Sequence, residues 1–129
     1  MKKSVIVPVY NEEGNIGNLI LKIKTVLNNN DELIIVNDGS SDKTLNEIQK
    51  DKCILINLNK NMGKGYAMRK GIESAQGDYI VFMGGDGQDD PSEIKLLTDE
   101  ISNGYDYVIG SRFLNCLLYT SDAADDIPG

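Results

Sequence analysis

The stretch Tyr79–Pro91, YIVFMGGDGQDDP, decides the fold. Tyr79 to Met83 is a short apolar run, as expected of a strand buried on both faces of a sheet. It passes into a glycine-rich acidic turn over residues 84–90, and Pro91 opens the following helix. That helix start combines three signals: Asp90 as cap, Pro91 at the first helical position and Glu93 three residues after the cap. Ile94, Leu97 and Ile101 supply its buried stripe. Open α/β sheets hold ligands outside the carboxyl ends of their strands. Asp86, Asp89 and Asp90 stand at such an end and are the first candidates for holding a divalent cation against a phosphate.

Toward the N-terminus the same alternation repeats. A helix is predicted over Tyr66–Ala75, preceded by the loop Asn59–Gly65 (NKNMGKG) and a strand over Cys53–Leu58 (CILINL). Before these come a short helix from Lys43 to Lys50, the turn Asp38–Asp42 and a strand over Glu32–Asn37 (ELIIVN). Ile16, Leu19, Ile20, Ile23 and Leu27 recur at helical spacing until Asn28-Asn29-Asn30 stops them. The chain opens on a strand over Ser4–Val9 (SVIVPV), broken by Asn11-Glu12-Glu13-Gly14. On the far side, Tyr107–Gly110 (YVIG) reads as a fifth strand. Strands alternating with helices at this spacing indicate βαβ units, hence an α/β fold with a mostly parallel sheet. Residues 116–129, CLLYTSDAADDIPG, carry no helical or strand period that continues this pattern, and CLLYTSDAAD resembles one reading frame of a transposon-end sequencing adapter. The expected organisation is one domain over 1–115, the N-terminal part of a larger unit, followed by a non-native tail.

Composition narrows the chemistry. A chain of 129 residues suits one domain. Its net charge of −7 argues against a nucleic-acid partner bound through a basic face. The absence of histidine removes Ser-His-Asp and Cys-His nucleophile systems and imidazole-based zinc sites. The two cysteines show no CxxC spacing, and Cys53 sits in an apolar run as a small core residue. No segment has the length of a signal peptide's apolar core or of a membrane span. The expected location is the cytoplasm.

Every polar cluster follows a strand: Pro8–Glu12, Asp38–Asp42, Asn61–Gly65 and Gly84–Asp90. In a parallel sheet these ends face one crevice. Together they offer an aromatic ring (Tyr10), carboxylates (Glu12, Asp38), a cation (Lys64) and a metal-binding turn, an inventory that suits a nucleoside diphosphate. Each residue also has a structural reading. Pro8 ends an edge strand, Tyr10 is a core aromatic with a wet hydroxyl, Asp38-Gly39 forms a turn, Asp42 and Asp90 cap helices, and Lys64 is a solvated lysine. Asp86 has no such alternative. Rival motifs fail: Met62-Gly63-Lys64-Gly65 lacks the first glycine and the Ser/Thr of a P-loop. Gly85-Gly87 lacks the third glycine of a dinucleotide fingerprint, and Pro91 and Leu97 break an EF-hand starting at Asp86.

VIVPVYNEEGNI, ELIIVNDGSSDKT, NKNMGKGYAMRKGIESAQGDYIVFM, GDGQDDPSEI and YDYVIGSRF, in series over residues 4–113, resemble the family 2 glycosyltransferases. Within that family the dolichyl- and polyprenyl-phosphate sugar transferases are the most similar subgroup. The resemblance implies a GT-A fold and inverting transfer from a UDP- or GDP-sugar, with a lipid phosphate or related glycan as acceptor. It implies nucleoside contacts from Pro8, Tyr10, Glu12 and Asp38. It also implies an Mg²⁺ or Mn²⁺ site at Asp86 and Gln88, the ion acting as a Lewis acid on the departing diphosphate, and a phosphate-binding role for Arg112. Gly84 stands where the family's first turn aspartate is expected, which removes one ligand charge. Relatives continue past the Gly-Ser-Arg stretch with their acceptor side, and many add membrane helices. A membrane association is thus expected only through sequence beyond this chain, at the cytoplasmic face. Two rivals stay open: a non-catalytic nucleotide-binding fragment, and a receiver-type signalling domain. The latter is disfavoured because Glu12-Glu13 follows the first strand only after a polar turn and no lysine follows the fifth.

Overall fold

The structure is a computed structural model that describes residues 2–85 together with the strands at 107–109 and 117–120. Six strands form one sheet in the order β3-β2-β1-β4-β6-β5. They are β1 (Lys3–Val9), β2 (Glu32–Asn37), β3 (Ile54–Asn57), β4 (Tyr79–Phe82), β5 (Tyr107–Ile109) and β6 (Leu117–Thr120). β1 pairs in parallel with both β2 and β4, and β2 in parallel with β3. The α/β class and the mostly parallel sheet are as expected. At the far edge β6 runs antiparallel to β4, and β5 antiparallel to β6.

Tyr107–Ile109 forms the expected fifth strand and lies at the outer edge, because Leu117–Thr120 takes the position beside β4. The segment 116–129, read as carrying no period that continues the alternation, contains that strand. Its four residues LLYT are rich in apolar and β-favouring types, and pairing rather than alternation defines them as an element.

The helices are α1 (Ile16–Val26), α2 (Thr44–Ile48) and α3 (Lys64–Ser74). The i, i+3, i+4 stripe of α1 buries Ile16, Leu19, Ile20 and Ile23. They pack with Ile48 of α2 against one face of the sheet, on Val5, Val7, Val9, Leu33, Ile35, Val81 and Met83. Ala67 and Met68 of α3 cover the other face, on Ile6, Ile34, Val36, Ile80 and Phe82. Both faces being covered is why the strands read as unbroken apolar runs. Cys53 is half-buried against the first of these clusters. Burial pushes its thiol pKa up, Lys24 opposing and Asp51 adding to the shift, so it is a poor nucleophile.

Buried ion-pairing fixes the opposite end of β1. Lys3 Nζ lies 2.8 Å from Asp31 Oδ2, the two side chains being 7% and 0% exposed. The Lys3 and Asn28 backbone N–H groups donate to the same carboxylate at 2.9 and 2.8 Å. Beside this pair, Ser4 Oγ donates to Glu32 at 2.6 Å and accepts the Gly77 N–H at 2.8 Å. The chain visits β1, β2 and β3 outward in one direction, then returns to place β4 on the other side of β1. β1 is therefore the point at which strand order reverses, and its carboxyl end is where such sheets form a crevice.

Candidate functional site

A pocket of about 380 Å³ opens at that crevice. Pro8, Tyr10 and Glu12 reach it from the end of β1, Asp38 from the end of β2, and Lys64 from the start of α3. All five candidate nucleotide-contacting residues are thus brought together. Val9, Asn61, Gly63, Gly84 and Gly85 complete the lining. Asp86, Gln88 and Arg112 lie outside the described residues, as do Asp89, Asp90 and the helix expected after Pro91.

The first wall is built by two interlocked turns. Asn11 takes a left-handed backbone (φ 52°), which re-aims the chain after β1. Its N–H donates to Ser40 Oγ at 3.0 Å, and its Oδ1 accepts the Ser41 N–H at 2.8 Å. The Glu12 N–H donates to Thr44 Oγ1 at 2.8 Å, and the Glu13 and Gly14 N–H groups donate to Asp42 and Glu47. In return Glu13 Oε1 accepts the Lys43 N–H at 2.8 Å. Thr44 Oγ1, fully buried, donates to Asp42 Oδ1 at 2.5 Å. That hydrogen bond holds the Asp42 carboxyl below its ordinary pKa. Asp42 also accepts the Thr44 N–H at 3.0 Å, so it serves the start of α2 as expected of a cap, one residue before Lys43 at the helix boundary.

Pro8 is not on an edge strand, because β1 is central. Its ladder with β4 ends at Ile6↔Phe82, while Pro8 keeps a partner on β2 at Val36. Tyr10 is 47% exposed and stands on the rim, which removes its reading as a core aromatic.

Asp38 is 4% exposed and is the most connected carboxylate in the pocket. Its N–H donates to the Val9 carbonyl at 2.8 Å, tying the ends of β1 and β2. Its Oδ1 accepts the Met62 N–H at 2.7 Å, and its Oδ2 accepts the Gly63 N–H at 3.0 Å and Asn61 Nδ2 at 3.2 Å. Gly39, with φ +70°, lets the loop close on this turn. A Cβ there would collide with the Lys60 carbonyl carbon and the Asn61 nitrogen. Gly63, with φ +97°, then turns the chain into α3. The helix begins at Lys64, two residues before the predicted Tyr66, so Lys64 sits in its first turn, where backbone N–H groups lack intrahelical acceptors. A cation beside such donors favours an anionic ligand.

The third wall is the end of β4. Gly84 and Gly85 are buried, and a Cβ on Gly85 would overlap Val9 Cγ1 and come within 3.1 Å of the Pro8 carbonyl oxygen. Asn61 and Gly85 line the pocket as members of the clusters Asn61–Gly65 and Gly84–Asp90, without having been singled out from them. The signal available was their place in clusters that each follow a strand. Among the described residues no group of three or more acidic or cysteine side chains could hold a metal ion.

Comparison with known proteins follows this geometry. Residues 4–119 match the model of glycosyl transferase family 2. The undecaprenyl-phosphate 4-deoxy-4-formamido-L-arabinose transferase of Proteus mirabilis is 40% identical over 123 residues, which cover 88% of this chain and 37% of that protein. The dolichol-phosphate mannosyltransferase of Pyrococcus furiosus is 38% identical over 119 residues, 88% of this chain and 34% of the relative. The chain therefore spans little more than a third of the curated relatives it matches. Glucosyl-3-phosphoglycerate synthase of Mycobacterium tuberculosis, solved with Mn²⁺, UDP and phosphoglyceric acid, superposes with a TM-score of 0.79 at 20% identity. That superposition covers 94% of this chain and 56% of the synthase and is a likeness of fold. By the match over residues 4–119, the chain belongs to glycosyl transferase family 2.

Proposed function

We propose that the protein carrying this chain is an inverting glycosyltransferase that takes a sugar from a UDP- or GDP-sugar and delivers it to a polyprenyl or dolichyl phosphate, or a related glycan, at the cytoplasmic face of a membrane. One observation carries the reading: Pro8, Tyr10, Glu12, Asp38 and Lys64 share a single pocket at the strand-order reversal of a parallel sheet. The pocket's Tyr10 rim suits a nucleobase or ribose face, and Lys64 in the first turn of α3 suits the diphosphate. In the transfer, an acceptor phosphate oxygen forms a bond to the anomeric carbon. The bond from that carbon to the diphosphate oxygen breaks, its electron pair leaving with the nucleoside diphosphate. An anionic acceptor needs no general base, and Arg112 is assigned to hold its phosphate.

Mg²⁺ or Mn²⁺ belongs to the proposal through Asp86 and Gln88. The described lining does not supply a metal site by itself, since Asp38 is occupied by N–H donors and Gly84 carries no side chain. Among the described residues no helix is long and apolar enough to cross a membrane.

The test is thermal unfolding with UDP, GDP and their sugars, with and without Mn²⁺. A rise in Tm is expected for the preferred nucleotide, about 2.7 kcal/mol of added stability at a hundred-fold excess over Kd. No shift with any nucleotide rejects the binding site. Binding without sugar transfer to a polyprenyl phosphate would favour a nucleotide-binding chain that does not turn over, a reading that the missing carboxylate at Gly84 supports.

A further inference from the structure

Asn37 closes β2 and is 2% exposed, although it does not itself line the pocket. It stands in register with Val9 on β1 and Asn57 on β3. Alternation with Leu33 and Ile35 puts its side chain on the α1 and α2 face of the sheet, where a buried amide needs partners. Its Nδ2 donates to Asn57 Oδ1 at 2.8 Å, and its Oδ1 accepts the Ser40 hydroxyl at 2.5 Å. Ser40 Oγ in turn accepts the Asn11 N–H at 3.0 Å. Every link donates toward β3, so the polarisation of one strengthens the next. The relay ends on Asn11, whose φ of 52° is the one left-handed backbone of a non-glycine residue among those described. Such a conformation persists where the surroundings impose it. The residues on either side of Asn11 are Tyr10 and Glu12, both in the pocket.

We infer that Asn37 and Ser40 are positioning residues: they tie the Asn11 backbone to the sheet and so aim Tyr10 and Glu12 at a bound nucleotide, without touching it. The inference rests on the pocket being a nucleotide site. Its signature is a loss of affinity that runs through Tyr10 and Glu12 and accompanies a looser turn after β1, while the loop before α3 stays as it was.

The experiment measures dissociation constants of UDP and GDP, well below Tm, for wild type, Ser40→Ala, Asn37→Leu, Tyr10→Ala and Glu12→Ala. Ser40→Ala is also combined with each of the last two. Amide hydrogen exchange is followed over residues 10–15 and 61–63 without ligand. Ser40→Ala removes the acceptor of the Asn11 N–H, so exchange at Asn11 accelerates while Met62 and Gly63 keep the wild-type rate. Affinity for whichever nucleotide the wild type binds falls on the order of five-fold. Asn37→Leu keeps the branching of the side chain and takes away the partner of Ser40. It shows a loss of the same kind, and Ser40→Ala decides the matter if Asn37→Leu fails to fold. In Tyr10→Ala and in Glu12→Ala, adding Ser40→Ala costs less than it does in wild type, because part of what the relay aims is already gone. A lower Tm or faster exchange with unchanged affinity overturns the relay and leaves the nucleotide site standing. So does an undiminished Ser40→Ala loss in both backgrounds, or acceleration that extends equally to residues 61–63. Failure of the wild type to bind either nucleotide rejects the site itself, and the relay with it.

Discussion

At Gly39 and Gly84 the absence of a side chain has opposite meanings. Gly39 combines a left-handed φ with the Lys60–Asn61 backbone in contact, so Gly39→Ala meets both strain and collision. It is expected to lower stability on the order of 2–4 kcal/mol, read by denaturant unfolding. Gly84 is a buried position on the pocket, and Gly84→Asp places a carboxylate there. The variant is expected to melt lower than wild type in EDTA and to regain Tm with Mn²⁺, while nucleotide affinity becomes more dependent on Mn²⁺. Equal Tm in EDTA and Mn²⁺ would show that position 84 takes no part in holding a cation. Asp31 behaves differently again. Burial pushes its carboxyl up, but hydrogen bonds from Lys3 and Asn28 and the Lys3 charge outweigh this and hold it below its ordinary 3.8. A depressed folded pKa gives stability that is complete above 3.8 and lost as pH falls through the folded value. Asp31→Asn leaves Lys3 buried and unpaired, so it should cost about 3 kcal/mol at neutral pH. Its Tm should also fall less steeply than wild type on acidification.

At the scale of elements, the interlocked turns after β1 and β2 depend on Thr44. Its hydroxyl accepts the Glu12 N–H and donates to Asp42. Thr44→Val keeps the volume and leaves a donor without a partner, so a loss of about 1–3 kcal/mol is expected in urea unfolding. The elements were legible to different degrees for physical reasons. Glu32–Asn37 matches its strand at both ends, because an apolar run bounded by polar turns needs no tertiary information. The stripe of α1 is legible for the same reason. The start of α3 is not, because it is set at Gly63, whose turning conformation (φ +97°) and N–H bond to Asp38 are tertiary features. β6 escapes periodicity because four residues, paired here between β4 and β5, are too few to show one. Pro8, Tyr10, Glu12, Asp38 and Lys64 were legible as neighbours because a parallel sheet sends every strand end to one side. The loop contacts of Asp38 were not, since its partners lie more than twenty positions downstream.

For the whole molecule, the pocket depends on β4 as much as on β1. β1 to β3 follow one another through short crossovers, whereas β4 returns from the far side to lie against β1, the costlier contact in chain entropy. Gly85 meets Pro8 and Val9 only when that return is complete. On the proposed function, a nucleotide would recognise a closed circuit of chain, and the site would double as a sensor of finished folding. If β4 docks after the rate-limiting barrier, saturating nucleotide slows unfolding in stopped-flow measurements and leaves the refolding rate unchanged. Acceleration of refolding by ligand would instead place the docking of β4 before the barrier. In a cell, the same circuit would make a bound nucleotide a kinetic guard against degradation, acting on a strand whose departure opens both the sheet and the pocket.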